Sequence, residues 1–100
     1  MNYQRVIFAG NATDDAQSQT SQIGDVTYTR FDVGVSDAKE QSTYFPVVVF
    51  GKQGEAVAEY ISKGRQVLVE GRIEVNDKGR FNIIADRVQF GPEPAAKNTQ

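Results

Sequence analysis

One stretch, Phe45 to Gly71, constrains the fold more than any other part of the chain. It reads FPVVVFGKQGEAVAEYISKGRQVLVEG, in which two runs of aromatic and β-branched residues flank a short segment that ends at a glycine. Aromatic and β-branched side chains favour strands. A helix of about nine residues is too short to be stable alone, so it must pack on a sheet. The pattern therefore predicts a strand, a short helix and a second strand, around which the remaining segments close.

The first strand of this unit is apolar on both faces. Because side chains alternate along a strand, the two faces carry the following residues: Phe45, Val47 and Val49 on one, and Tyr44, Pro46, Val48 and Phe50 on the other. One face belongs to the core. The other has to meet a partner, a neighbouring subunit or a flat ligand. Pro46 has no N–H, which predicts a sheet edge or a bulge at that point.

The helix has one apolar stripe, made by Gly54, Val57, Tyr60 and Ile61. Its end is predicted at residues 62–64, with a cation in the last turn and a glycine for a left-handed cap. In the strand that follows, apolar residues occupy the odd positions from 67 to 75. Gly71 interrupts this alternation and predicts a bulge or a close backbone approach.

The remaining segments complete a five-strand order. Residues 4–10 read as a strand, Asn11–Gly24 as a polar loop, and Asp25–Ser36 as a long strand whose apolar parity changes midway, which predicts a bulge or strong coiling. Asn76–Gly79 is a hairpin turn, and Arg80–Phe90 is the last strand. An all-β chain with one short helix between strands 3 and 4 has the order of the five-stranded OB-fold barrel. An α+β sandwich is the alternative.

Length and composition limit the classes of protein. One hundred residues suit one domain, predicted over 1–91, with a flexible C-terminal tail over 92–100. The chain has neither cysteine nor histidine, which excludes disulfides, zinc sites and histidine-based catalysis, and we expect no cofactor and no metal. No apolar run is long enough for a signal peptide or a membrane span, so a cytoplasmic, nucleoid-associated location is expected.

Charge is unevenly distributed along the chain. The net charge is −2, but residues 1–62 carry four basic and eight acidic side chains, whereas residues 63–92 carry six basic and four acidic ones. A net-acidic protein can still have a local basic path for an anionic partner.

The central stretch resembles the bacterial single-stranded DNA-binding protein family. Phe50–Arg72 carries the family's aromatic-Gly-Lys, the Ala/Glu-rich helix, and the Val-rich strand that ends in Glu-Gly-Arg. Arg5–Asp15, Gly24–Val35 and Arg87–Gly91 resemble its first strand, second strand and end. The resemblance implies a non-catalytic OB-fold protein that coats single-stranded DNA in replication, recombination and repair. It also implies a homo-oligomer, a homotetramer or a dimer.

The resemblance also assigns DNA-binding residues. Base stacking is expected from Tyr44 and Phe50, and phosphate contacts are expected from Arg72 and Lys52. Further candidates are Arg30, Lys39, Arg80 and Phe81. Purely structural roles are the alternatives. Tyr44 and Phe50 could pack against another subunit, Arg72 and Lys52 could be surface charges near Glu70 or Glu55, and Phe81 could belong to the core. Lys63 and Arg65 are expected to cap the helix and interact with its dipole.

The chain departs from the family pattern in several places. Asp14-Asp15-Ala16 replaces an Arg-Asp-Pro, the hairpin at Asn76–Gly79 is short, tryptophan is absent, and residues 96–100 lack the acidic tip that recruits repair proteins. These differences predict fewer DNA contacts per subunit. They favour one alternative, an OB-fold protein-interaction module. A metal-dependent hydrolase using Asp14 and Asp15, or an oligosaccharide-binding domain, are the others.

Overall fold

A computed structural model, which describes residues 3–20 and 26–92, shows strands with one helix. The elements are β1 (Val6–Ala12), β2 (Gln17–Thr20), β3 (Thr27–Ser36), β4 (Ser42–Phe50), α1 (Gly51–Tyr60), β5 (Gln66–Val75) and β6 (Phe81–Phe90).

Five of the strands close into a barrel. The hydrogen-bonded order is β1-β5-β6-β4-β3, and β1 pairs again with β3 at Asn11–Gly34 and Ala12–Val33, which closes the ring. All these pairings are antiparallel except that of β4 with β6. Helix α1 connects the third and fourth strands of the barrel, so the predicted OB-fold architecture is confirmed and the α+β sandwich is wrong.

The core inside the barrel is formed by the alternate residues of each strand that point inward. Its buried members are Ala12, Phe31, Val33, Val47, Val49, Val57, Ile61, Val67, Val69 and Ile83. Helix α1 covers one end, where the buried Thr29 hydroxyl donates to the Gly54 carbonyl at 2.6 Å. Because β4 uses its odd positions for this core, its even positions must face outward.

The polar segment Asn11–Gly24 is not the simple loop that the sequence predicts. Strand β1 continues to Ala12, and Gln17–Thr20 forms β2, which pairs with residues 27–30 of β3. Backbone pairing with β3 holds this short strand, and its polar side chains give no apolar alternation that would reveal it. Residues 21–25 lie outside the described part of the chain.

The two predicted strand irregularities have different outcomes. Strand β3 pairs with β4 continuously from Tyr28 to Ser36, so the bulge predicted there is wrong, whereas the alternative of strong coiling stays a prediction. The apolar pattern of β3 instead changes parity because this strand also carries apolar side chains on the outer face of the barrel. The register of β5 with β6 does shift between Glu70 and Gly71, and a Cβ at Gly71 would collide with the Ile84 carbonyl. The prediction for Gly71 is confirmed.

The helix ends earlier than predicted. Its last residue is Tyr60, Ile61 is already extended, and the last turn holds no basic residue. Ile61 leaves the helix because its side chain is buried in the core. Gly64 has a positive φ, but its N–H donates to the Ala12 carbonyl at 2.7 Å and caps no helix. The predicted helix-dipole role of Lys63 is therefore wrong.

The hairpin and Pro46 agree with the sequence. Asn76 receives hydrogen bonds on its side-chain oxygen from the N–H groups of Lys78 and Arg80, and Gly79 has a φ of +80°. Pro46 precedes Val47, the first β4 residue paired with β6, and so lies at a local edge. The predicted tail at 92–100 lies outside the described residues except for its first one, and the domain limits stay a prediction.

Candidate nucleic-acid interface

An open groove of about 410 Å³ lies on the outer face of the barrel, where β3 and β4 meet the β5–β6 hairpin. Val48 and Ile84, neighbours through the parallel pairing of β4 with β6, are both nearly buried and form its floor. Tyr28 and Phe50 oppose each other across β3 and β4 and line one side. Their ring centroids are 6.0 Å apart, and the rings are tilted by 55°.

Tyr44 and Phe50 share the outer face of β4, as the alternation predicts. They are six residues apart, which corresponds to about 20 Å along a strand. The Tyr44 residue is 59% exposed and Phe50 is 48% exposed, so both rings present apolar surface to solvent. Tyr44 lies over Gly34, its partner on β3, where an added Cβ would be 3.2 Å from the ring. The absence of a side chain at Gly34 thus provides the space that the ring occupies.

Two of the predicted cations flank this face. Arg30 lines the groove and donates from Nη1 to Oδ1 of Asn82 at 3.3 Å. Arg72 on β5 lies 3.3 Å from a Glu74 carboxylate oxygen and 3.7 Å from one of Asp86, with 47% of its side chain exposed. The alternative for Arg72 is a surface charge near Glu70, and Arg72 does line one pocket with Glu70, although its ion-pair partners are Glu74 and Asp86.

The other predicted cations do not line the groove. Lys52 is in the first turn of α1, two residues after Phe50, and is exposed. Lys39 is in the turn between β3 and β4, where its N–H donates to the Asp37 carboxylate at 2.8 Å. Arg80 ends the hairpin turn and is also exposed. Whether these three contact DNA stays a prediction.

Phe81 lies on the other face of the hairpin. It pairs with Val75, whereas its neighbour Asn82 pairs with Glu74 and lines the groove. Phe81 is 39% exposed, so the alternative that it belongs to the core is wrong. Its ring does not line the groove with Phe50, and a role in binding would need a ligand that extends around the hairpin.

The sequence did not identify five residues that the groove brings together: Val26, Tyr28, Glu74, Asn82 and Ile84. A signal for Tyr28 was present, because it shares parity with Val26 and differs from Phe31, a core residue. That difference places Tyr28 on the outer face. For the three residues from β5 and β6, no comparable signal exists, since only the pairing of β6 with β4 and β5 carries them to this face.

A separate ion pair lies on the neighbouring strands. Arg5 donates to the Glu70 carboxylate, which lowers the pKa of Glu70, and the same contact raises the pKa of Arg5. Glu70 is therefore engaged by Arg5 and is not the partner of Arg72. Arg65 lies over the ring of Phe90, 5.6 Å from its centroid, and its capping role stays a prediction.

The adjacent acids Asp14 and Asp15 stabilise turns. Asp14 accepts the N–H of Asp15 at 2.8 Å, and Asp15 accepts the N–H of Lys63 at 2.9 Å. Within residues 3–20 and 26–92, no three Asp or Glu side chains form a group that could hold a metal ion. In the same part of the chain, no helix has the length and apolar character needed to cross a membrane.

Comparisons with known proteins agree with this geometry. The family model described as the single-strand binding protein family matches residues 3–90. The single-stranded DNA-binding protein of Clostridium tetani is 33% identical over 86% of this chain and 68% of its own length. That of Fusobacterium nucleatum is 32% identical over 94% of this chain and 70% of its own.

Solved structures give the same result for the fold. A deletion mutant of the single-stranded DNA binding protein from Thermus aquaticus superposes with a TM-score of 0.78 at 26% identity, covering 91% of this chain and 42% of that one. An SSB domain from Synechococcus superposes with a TM-score of 0.76 at 17% identity, covering 89% of this chain and 97% of that one.

Proposed function

Because the chain belongs to the single-strand binding protein family, we propose that it binds single-stranded DNA. The observation that carries the proposal is the outer face of β4, on which Tyr44 and Phe50 expose their rings about 20 Å apart. Contiguous exposed apolar patches mark interaction or ligand-binding sites in soluble proteins. Unpaired bases offer flat apolar surfaces that match such rings.

Stacking supplies the part of the affinity that does not depend on sequence. Each base stacked on an aromatic side chain contributes about 1–3 kcal/mol. The rings of Tyr28 and Phe50 stand at one end of the face and that of Tyr44 at the other. A strand that follows β4 therefore meets apolar surface at both ends, with the Val48 floor between them.

Phosphate contacts supply the part of the binding affinity that depends on salt concentration. We assign these contacts to Arg30, which lines the groove, and to Arg72, which contacts Glu74 of its lining. Further contacts are assigned to three exposed cations outside the groove: Lys52, Lys39 and Arg80. Each neutralised phosphate changes the slope of log K against log salt by about −0.7 for single strands. Arg72 already lies beside two carboxylates, so its contribution to the slope should be below that value.

In this role the protein is not an enzyme. It coats exposed strands during replication, recombination or repair, and it prevents them from pairing again. Assembly into a homotetramer or a dimer is part of the proposal. Its support is Ile7 of β1, which is 58% exposed on an outer face of the barrel and would be covered by a second copy.

Fluorescence anisotropy of a labelled oligo-dT, titrated at several salt concentrations beside the same label on a duplex, tests the proposal. We expect preference for the single strand and a negative salt slope. Tyr44→Ala should weaken binding by about five- to 150-fold without changing the slope. Tyr60→Ala, which removes an equally exposed ring from α1, is the matched control and should leave affinity unchanged.

Two results would contradict parts of this assignment. If Tyr44→Ala dissociates the oligomer but keeps the affinity, the ring packs against a second subunit and does not stack on bases. If the wild-type protein shows no preference for the single strand at low salt, the second candidate, a protein-interaction module, takes its place. The carboxylates of Glu74 and Asp86 beside Arg72 favour that candidate, because they oppose a phosphate there.

A further inference from the structure

A row of three side chains crosses the outer face of the barrel from β2 to β4. Gln19 of β2 is the direct partner of Tyr28 on β3, and Tyr28 is the direct partner of Phe50 on β4. Residues directly opposite each other in an antiparallel pair lie on the same face, with Cβ atoms about 4.5–5.5 Å apart. The side chain of Gln19 therefore stands beside the ring of Tyr28, on the side away from Phe50.

The ring of Tyr28 is held from both sides of this row. On one side it contacts Phe50, with the ring centroids 6.0 Å apart. On the other side its hydroxyl donates a hydrogen bond to Oε1 of Gln19 at 2.9 Å. The contact with Phe50 is apolar and non-directional, so by itself it leaves the ring free to tilt. A hydrogen bond depends on angle as well as distance, so it fixes the end of the ring that lies farthest from the backbone.

Gln19 lies outside the groove that its partner lines. The lining includes Tyr28 and Phe50 but not Gln19, whose side chain is exposed. Strand β2 is held by backbone pairing with residues 27–30 of β3, so its position does not depend on the glutamine side chain. Gln19 can therefore be replaced without removing any surface from the groove.

We propose that Gln19 is a positioning residue for DNA binding, because it orients the ring of Tyr28 before a base stacks on it. This role rests on the proposed function. A ring that is mobile in the unbound protein loses conformational entropy when a base immobilises it, and a ring that is already fixed avoids this loss. Removing the hydrogen bond while keeping the ring should therefore weaken binding by about two- to tenfold.

Two substitutions remove this hydrogen bond from opposite ends. Tyr28→Phe removes the hydroxyl and keeps the whole ring, whereas Gln19→Leu removes the acceptor. In anisotropy titrations of labelled oligo-dT, each should weaken binding by the factor above, with no change in the salt slope because no charge changes. The double variant should bind no more weakly than either single one, since both remove the same contact. Gln17→Leu is the matched control on β2 and should bind like the wild type, because Gln17 opposes Arg30 and not Tyr28.

The outcomes separate this role from the others that Gln19 and the hydroxyl could have. A loss in Tyr28→Phe alone would mean that the hydroxyl contacts DNA itself. A loss in Gln19→Leu alone would mean that Gln19 contacts DNA or only supports β2, and additive losses would mean that the two groups act independently. Each of these results, or wild-type affinity in both single variants, would overturn the positioning role and leave single-strand binding intact. Failure of the wild-type protein to bind oligo-dT at low salt would overturn the proposed function itself, and the role of Gln19 with it.

Discussion

Tyr28 and Phe50 should act as one stacking platform and not as two. A base sandwiched between two rings needs them parallel and about 7 Å apart, twice an ordinary carbon contact distance. These rings are 6.0 Å apart at 55°, which leaves no space for a base between them. One base must therefore rest on the surface that both rings form.

A double-mutant cycle measures directly whether one base uses both rings. Tyr28→Ala and Phe50→Ala should each weaken binding of oligo-dT by about 1–2 kcal/mol, or about five- to 30-fold. If one base uses both rings, the double variant should lose no more than the value for one stacked base, about 3 kcal/mol. With single losses of about 2 kcal/mol each, which sum to about 4 kcal/mol, the coupling free energy would then be about 1 kcal/mol, within the range for residues in contact.

The assay is anisotropy of the four proteins at one salt concentration, well below their melting temperatures. Thermal unfolding is the control, since loss of the aromatic pair should lower stability by about 0.5–1.5 kcal/mol. Strictly additive losses in affinity would refute the single platform and would mean that each ring binds its own base.

Two further predictions concern stability. Thr29→Val removes the buried 2.6 Å hydrogen bond to Gly54 and should cost about 1 kcal/mol, or about 4–8 °C in Tm, whereas Thr43→Val on the exposed part of β4 should change Tm little. Arg5 lowers the pKa of Glu70, so this pair stabilises the fold above the ordinary glutamate pKa and loses its effect as pH falls through the lowered pKa. Glu70→Gln should therefore flatten the acid limb of a stability-against-pH curve, and an unchanged limb would contradict it.

The barrel was predictable because its strands alternate cleanly. The odd positions of β4 and of β5 up to Gly71 are the core, and the even positions of β4 carry the exposed rings. Gly71 correctly predicted the bulge, because a residue with a side chain does not fit so close to the Ile84 carbonyl. These features depend on residues near one another in the chain, where pattern and geometry are tightly linked.

The rest depends on contacts between distant segments. Strand β2 exists because β3 pairs with it, and its polar sequence gives no sign of this. The helix stops before Gly64 because burial of Ile61 outweighs the local stop signal. Glu74 and Asn82 reach the groove only through strand pairing, so their proximity to Arg30 was not visible from spacing along the chain.

The parallel contact between β4 and β6 has a consequence for folding. Within the described residues, it consists of two residue pairs, Val47–Ile83 and Val48–Ile84, each joining positions 36 residues apart. Contacts of such long range carry a large loop-closure cost and slow the folding of β proteins. Since Val48 and Ile84 also form the floor of the groove, a strand of DNA lying in it would span the seam and oppose its opening. Bound DNA and the fold would then both stabilise the contact between β4 and β6. Saturating DNA should therefore raise the free energy of unfolding by mass action.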